Sequence, residues 1–178
     1  MVLAAIIACE VGFWVAVLGG LAARYLARRP RLGAALLIAA PLIDLLLLIL
    51  VTVDLLNGST ASWHHGLAAL YIGVSVAYGH RMIAWADARF AHRFDGGAAP
   101  VRLDGAAYTA ACWRDVGRTL LAAVIAGGLL AGLIVVVGEP ARTAELESFF
   151  PLLGLIVGID LLWAVSYTLW PRRPAAAT

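Results

Sequence analysis

The chain has 178 residues, of which 63% are hydrophobic and 13% are charged, and its mean hydropathy is +0.92. This composition excludes a water-soluble globular domain. A net charge of +2, without a basic patch interleaved with aromatic residues, argues against a nucleic-acid partner. Nearly all of the chain is needed to cross lipid, so we expect a single helical membrane domain over residues 1–178 with the lipid bilayer around it.

Five apolar stretches are each long enough to cross a hydrocarbon core of about 30 Å at about 1.5 Å per residue. Lipid offers no hydrogen-bonding partner to an open backbone, and these runs of Leu, Ile, Val and Ala lack the alternation of strands. The first stretch has no positively charged start, so we expect it to remain as an anchor. The sequence predicts an all-α, polytopic integral membrane protein with five transmembrane helices, near residues 2–23, 32–55, 63–85, 119–137 and 149–170.

The arginines predict the orientation. Arg142 alone falls on one side, beside Glu139, Glu145 and Glu147 in a stretch that we interpret as a solvated loop. The other twelve arginines fall on the opposite side of the predicted membrane. The positive-inside rule places that side in the cytoplasm of a bacterium, with the protein in its plasma membrane. The amino terminus is then outside and the carboxyl terminus is cytoplasmic. The remaining arginines are Arg24, Arg28, Arg29, Arg31, Arg81, Arg89, Arg93, Arg102, Arg114, Arg118, Arg172 and Arg173.

The longest predicted connection is a cytoplasmic loop over residues 86–118. Its first part, residues 87–94, is interpreted as a continuation of the third helix into the headgroup layer. Gly96, Gly97 and Pro100 are the predicted stop of that helix.

Three acidic residues lie near the middle of apolar helical stretches: Glu10, Asp44 and Asp160. A carboxylate at the centre of a membrane helix costs about 3 kcal/mol on insertion scales before any partner is counted. All three fall near mid-depth, so the sequence predicts a shared, protonatable polar site within the membrane.

Four further residues are candidates to support this site. Tyr167 follows Asp160 at helical spacing and can donate a hydrogen bond. The third helix adds Tyr78, His80 and Arg81, of which Arg81 is expected to extend towards the cytoplasm. Three interpretations of the acids stay open: neutral side chains that hydrogen-bond helices together, a proton or cation relay or polar substrate pocket, and acids that await a basic residue from a partner subunit.

No metal site, cofactor or catalytic residue is predicted, because none of the phosphate-binding, zinc-protease, serine-hydrolase or paired-cysteine motifs is present. His64 and His65 with Asp54 are an alternative metal site, but neighbouring histidines on a helix point in different directions. Haem across the bilayer would need histidines from a second helix. Cys9 and Cys112 lie in different parts of the predicted topology, so no disulfide is expected.

Small residues recur at four-residue spacing in three helices, a pattern that permits close helix packing or a homo-oligomer contact. They are Gly12, Ala16 and Gly20 in the first helix, Gly128 and Gly132 in the fourth, and Gly154 and Gly158 in the fifth.

Three functions are consistent with the sequence. The first is a small transporter or channel-like protein, or a subunit of one, with Glu10, Asp44 and Asp160 as its polar site. The second is an accessory or assembly membrane protein that docks a partner membrane subunit and transports nothing itself. The third is a lipid-active enzyme at the cytoplasmic headgroup layer, for which His80, Arg81, Asp87 and His92 are the candidate cluster.

Overall fold

The computed structural model describes residues 2–94 and 103–171; these are 89% helical and contain no strand. Five of the described helices are long and apolar enough to cross a membrane, as the sequence predicts. The predicted stop at Gly96, Gly97 and Pro100 lies outside the described residues. The helices are α1 (Val2–Tyr25), α2 (Pro30–Leu56), α3 (Trp63–Phe94), α4 (Gly105–Val137), α5 (Pro140–Glu147) and α6 (Phe149–Leu169).

Helices α1 and α2 form an antiparallel hairpin. Pro30 begins α2, a position where the missing amide proton of proline is harmless because a first-turn amide has no partner within the helix. The helices approach closely at Gly33, where an added Cβ would lie 2.6 Å from Arg24 Cβ and 2.7 Å from the carbonyl oxygen of Gly20. The small residues of α1 therefore do pack closely, with Ala16 and Gly20 buried.

The glycines of the other two small-residue patterns are in open surroundings. A Cβ added at Gly128 or Gly132 in α4 would meet no described atom within 4 Å, and the same holds for Gly154 and Gly158 in α6. Close packing predicted at these four positions is therefore not made by the part of the chain that the structure describes.

Helices α3 and α4 have 32 and 33 residues, or about 50 Å each at 1.5 Å per residue. A hydrocarbon core of about 30 Å cannot contain that length without strong tilt, so both helices extend beyond it. Since α4 begins at Gly105, most of the described part of the predicted 86–118 connection is helical.

The acidic stretch after α4 is a short helix, α5, so its interpretation as a loop is wrong. Its Arg142 is folded back onto the end of α2. The guanidinium donates to the carbonyl oxygen of Leu55 and, at 2.8 and 3.1 Å, to that of Ser59, while the Arg142 carbonyl accepts the Ala61 amide at 2.8 Å. A cation at the carboxyl end of α2 also complements the helix dipole. Arg142 therefore has a structural role at the end of α2.

The chain divides into two compact units, one of Met1–Ile72 with Ala126–Phe149 and one of Gly73–Ile125 with Phe150–Thr178. The buried aromatic centre of the first unit is Phe149, whose ring fills the place that a Cβ at Gly66 would take. The second unit contains Asp160 and is built from parts of α3, α4 and α6.

Candidate functional site

Asp160 is hydrogen-bonded by a hydroxyl group from a neighbouring helix. The Thr119 hydroxyl on α4 donates to Asp160 Oδ2 on α6. The Tyr78 hydroxyl on α3 lies 2.5 Å from Thr119 Oγ1, and also 3.1 Å from the backbone carbonyl oxygen of Asp115. Three helices thus contribute one polar side chain each to a continuous hydrogen-bonded chain, which we call the polar chain: Tyr78, Thr119 and Asp160.

A charged layer lies one helical turn from Thr119. Asp115 precedes Thr119 by four residues and so lies on the same face of α4. Its Oδ1 accepts Arg118 Nη1 at 2.8 Å and also pairs with Arg81 Nη1 on α3. Arg81 follows Tyr78 by three residues, so one face of α3 contributes Tyr78 to the polar chain and Arg81 to the charged layer. The layer contains two guanidinium groups and one carboxylate, and so carries one positive charge in excess.

A small packed core lies on the same two helices, α4 and α6, beside the charged layer. Cys112, Val116 and Ala164 are buried together, with the rings of Tyr108 and Tyr167 against them. Two polar contacts hold the same helices in register, since Thr109 donates to the Tyr167 carbonyl at 2.9 Å and Trp113 Nε1 donates to Thr168 Oγ1 at 3.0 Å. This core sets the rotation of α4 and α6 and thereby aims Thr119 at Asp160.

The half-buried Asp160 is not paired with a cation among the described side chains. Its position is about 16 Å along α6 from Phe149, near the middle of that helix. An arrangement of a carboxyl group and two hydroxyl groups can accept, hold and pass on a proton, because each hydroxyl both donates and accepts.

Glu10 and Asp44 belong to the other compact unit, in α1 and α2. Their side chains lie outside what the structure describes. A Cβ added at Gly12 would lie 3.8 Å from Ile43 Cδ1, and one added at Gly19 would lie 3.8 Å from Leu36 Cδ1. This antiparallel register brings residues 10 and 44 to about the same level. Their predicted convergence with Asp160 stays a prediction.

Comparison with known proteins identifies a relative. A protein of Bacillus subtilis (strain 168), named uncharacterized membrane protein YmcC, is 42% identical over 176 residues, which are 97% of this chain and 94% of that protein. The chain belongs to the family of that membrane protein. It is accordingly a multi-pass membrane protein, in agreement with its five apolar helices. No family model matches the chain, and no solved structure matches it.

The supporting residues predicted for this membrane protein have different surroundings. Tyr78 belongs to the polar chain and Arg81 to the charged layer. Tyr167 packs its ring against Tyr108 and Trp163, with centroid distances of 4.7 and 5.6 Å. His80 is exposed, and the side chain of Asp87, its partner in the enzyme hypothesis, lies outside the described part.

The alternative metal site of the membrane protein is not assembled in the described residues, where no three His, Cys, Asp or Glu side chains come together. His65 is buried, and its Nδ1 accepts the backbone amide of Ser62 at 2.7 Å at the start of α3. That ring nitrogen is therefore used to cap the helix.

Thr119 and Asp115 are absent from the predicted site. Both lie at or before the predicted start of the fourth span, where Arg114 and Arg118 were used only to assign orientation. The spacing of Asp115, Arg118 and Thr119 would have indicated one polar face on a helix, had the helix been extended to Gly105.

Proposed function

We propose that the protein is a small transporter or channel-like protein of a bacterial plasma membrane, or a subunit of one, with Asp160 as its protonatable transport site. The observation that carries this proposal is the carboxyl group of Asp160, located midway along an apolar helix and bonded to Thr119.

The energies favour a functional role for this acid. A carboxylate at mid-membrane costs about 3 kcal/mol. One interhelical hydrogen bond within a membrane returns about 1 kcal/mol. Asp160 therefore leaves about 2 kcal/mol uncompensated by Thr119, and an apolar residue there would give a more stable helix. A destabilising acid in an apolar helix is expected where its carboxyl group takes part directly in the function of the protein.

The arrangement of charge supports access from the cytoplasm. Arg81 and Arg118 are among the twelve arginines that the positive-inside rule assigns to that side. The polar chain begins at their layer and ends at Asp160. We therefore propose the cytoplasmic side as the entrance to the site, with the amino terminus of the protein outside.

Reconstitution in liposomes tests this function. Purified protein is incorporated with a pH-sensitive dye inside, and an imposed pH difference drives flux. Asp160→Asn keeps the shape and a hydrogen-bond acceptor but cannot exchange a proton, and we expect it to abolish flux. Asp54→Asn, the same change near the end of α2, is the matched control and is expected to retain flux. Undiminished flux in Asp160→Asn would rule out the site.

An accessory or assembly function is the second candidate, favoured by the open glycines of α4 and α6. Glycines without a neighbour within 4 Å leave room for the backbone of another helix. This function expects Gly132→Leu and Gly154→Leu to release a partner that otherwise co-purifies. It also expects Asp160→Asn to be tolerated and Asp160→Leu not, because a hydrogen bond to Thr119 is then all that the acid provides.

A further inference from the structure

We propose that Tyr78 and Thr119 are a proton relay between the charged layer and Asp160, so that the species handled at this site is the proton and not a metal cation. This rests on the proposed function and names its substrate. Each of the two hydroxyl groups accepts one proton and gives up another, so neither gains a net proton.

The hydrogen bonds of the polar chain accommodate both protonation states of Asp160. When Asp160 is ionised, Thr119 donates to Asp160 Oδ2 and Tyr78 donates to Thr119 Oγ1. When Asp160 is neutral, all donors can reverse: Asp160 donates to Thr119, Thr119 donates to Tyr78, and Tyr78 donates to the carbonyl oxygen of Asp115 at 3.1 Å. The Asp115 carbonyl is the acceptor that makes the second arrangement complete.

The transfer step balances. A hydronium ion beside Asp115 gives a proton to the Tyr78 oxygen and becomes a water molecule, and the original Tyr78 proton moves to Thr119 Oγ1. The original Thr119 proton then moves to Asp160 Oδ2. One O–H bond forms and one breaks at each hydroxyl, Asp160 gains one proton, and the chain ends in its reversed arrangement. Rotation of the two hydroxyl groups restores the starting arrangement once Asp160 has released its proton.

Ligand number and charge favour a proton over a metal cation. Hard cations take about six oxygen ligands, and the described contacts of Asp160 offer only the Thr119 hydroxyl beside the carboxylate itself. Among the charged groups of α3 and α4, those joined in the charged layer are Arg81, Asp115 and Arg118, and the hydroxyl that links this layer to Thr119 is that of Tyr78. When Asp160 is ionised these charges sum to zero, so the resting site needs no bound cation.

Time-resolved infrared spectroscopy of the protein in nanodiscs tests the relay. A light-triggered pH jump is followed through the carbonyl band of a protonated carboxyl group, assigned to Asp160 by its loss in Asp160→Asn. We expect Tyr78→Phe and Thr119→Val to slow protonation about a hundredfold or more, the loss typical of removing one positioned proton-transfer group. Thr119→Ser retains the hydroxyl and is expected to restore the rate. Tyr71→Phe, the same change on the same helix, is the matched control.

The results separate the relay from the proposed function. If Tyr78→Phe and Thr119→Val protonate Asp160 at the rate of the unchanged protein, the relay is overturned, whereas loss of liposome flux in Asp160→Asn would still support transport. If the unchanged protein shows no flux but its rate of protonation depends on Tyr78, the relay stands and the transport function fails. Absence of any Asp160 band across the accessible pH range would overturn the relay.

Discussion

Thr119 and Asp160 are joined by a hydrogen bond between α4 and α6, and the Thr119 hydroxyl is at the same time within hydrogen-bonding distance of Tyr78 on α3. A single hydroxyl group thereby connects three helices at one level. The same contact fixes the surroundings of the one intramembrane acid whose side chain the structure describes, and it leads from that acid to Asp115 and its two arginines.

Removal of the Thr119 hydroxyl is expected to destabilise the fold modestly. Thr119→Val keeps the shape but leaves Asp160 without its donor, at a cost of about 1 kcal/mol and at most about 2 in a membrane. The free energy of unfolding in bicelles, from titration with a denaturing detergent, measures this. Thr52→Val is the matched control, since the described hydrogen bond of the Thr52 side chain is to the Leu48 carbonyl of its own helix. Equal losses in the two variants would contradict the interhelical role.

Replacement of Arg142 is expected to loosen the end of α2. Arg142→Gln loses charge-assisted bonds to the Leu55 and Ser59 carbonyls, each worth about 1.5–3 kcal/mol. Thermal unfolding in detergent should show a clear fall in Tm. Glu139→Gln should leave Tm nearly unchanged, because Glu139 is 63% exposed and its 3.5 Å ion pair with Arg142 is worth about 0–1 kcal/mol. A larger effect at Glu139 than at Arg142 would show that the carbonyl contacts are unimportant.

Replacement of glycine by alanine is expected to change stability in opposite directions at Gly33, where α1 and α2 cross, and at Gly128 in α4. Gly33→Ala places a Cβ against the backbone of Arg24 and the Gly20 carbonyl, so the helices must separate and stability should fall. Gly128→Ala meets no described neighbour and should raise helix stability by up to about 1 kcal/mol, since alanine is the better helix former. The changes in the free energy of unfolding relative to the unchanged protein should therefore have opposite signs in the two variants. If the free energy of unfolding of Gly33→Ala were as high as that of the unchanged protein, the close crossing of α1 and α2 would be excluded.

Orientation is tested by fusions to the carboxyl terminus. The twelve-to-one distribution of arginines predicts that this terminus is cytoplasmic. A fluorescent protein fused there is expected to fluoresce, and alkaline phosphatase fused there to be inactive. Phosphatase inserted within α5, next to Arg142, should instead be active. The reverse pattern would invert the topology and move the proposed entrance of the polar chain to the outside.

The number of apolar membrane spans and the fold class follow from residue composition along the chain. Each span must satisfy its own backbone within lipid, so a long apolar run is enough to predict a helix without knowledge of its neighbours. The relative from Bacillus subtilis and the five apolar helices confirm that expectation. Asp160 is equally visible in the sequence, because a carboxyl group in such a run is an exception that needs no structure to detect.

The partners of Asp160 depend on how three helices are rotated about their own axes. These helices are apolar around most of their surface, so a hydrophobic pattern does not identify the inward face, and Tyr167 was as good a candidate donor as Thr119. Packing around Cys112 and Ala164 selects the rotation that brings Thr119 to Asp160 and leaves Tyr167 among aromatic rings. The folding of Arg142 onto α2 is of the same kind, since contacts across about 80 residues of chain arise from packing and have no local signature.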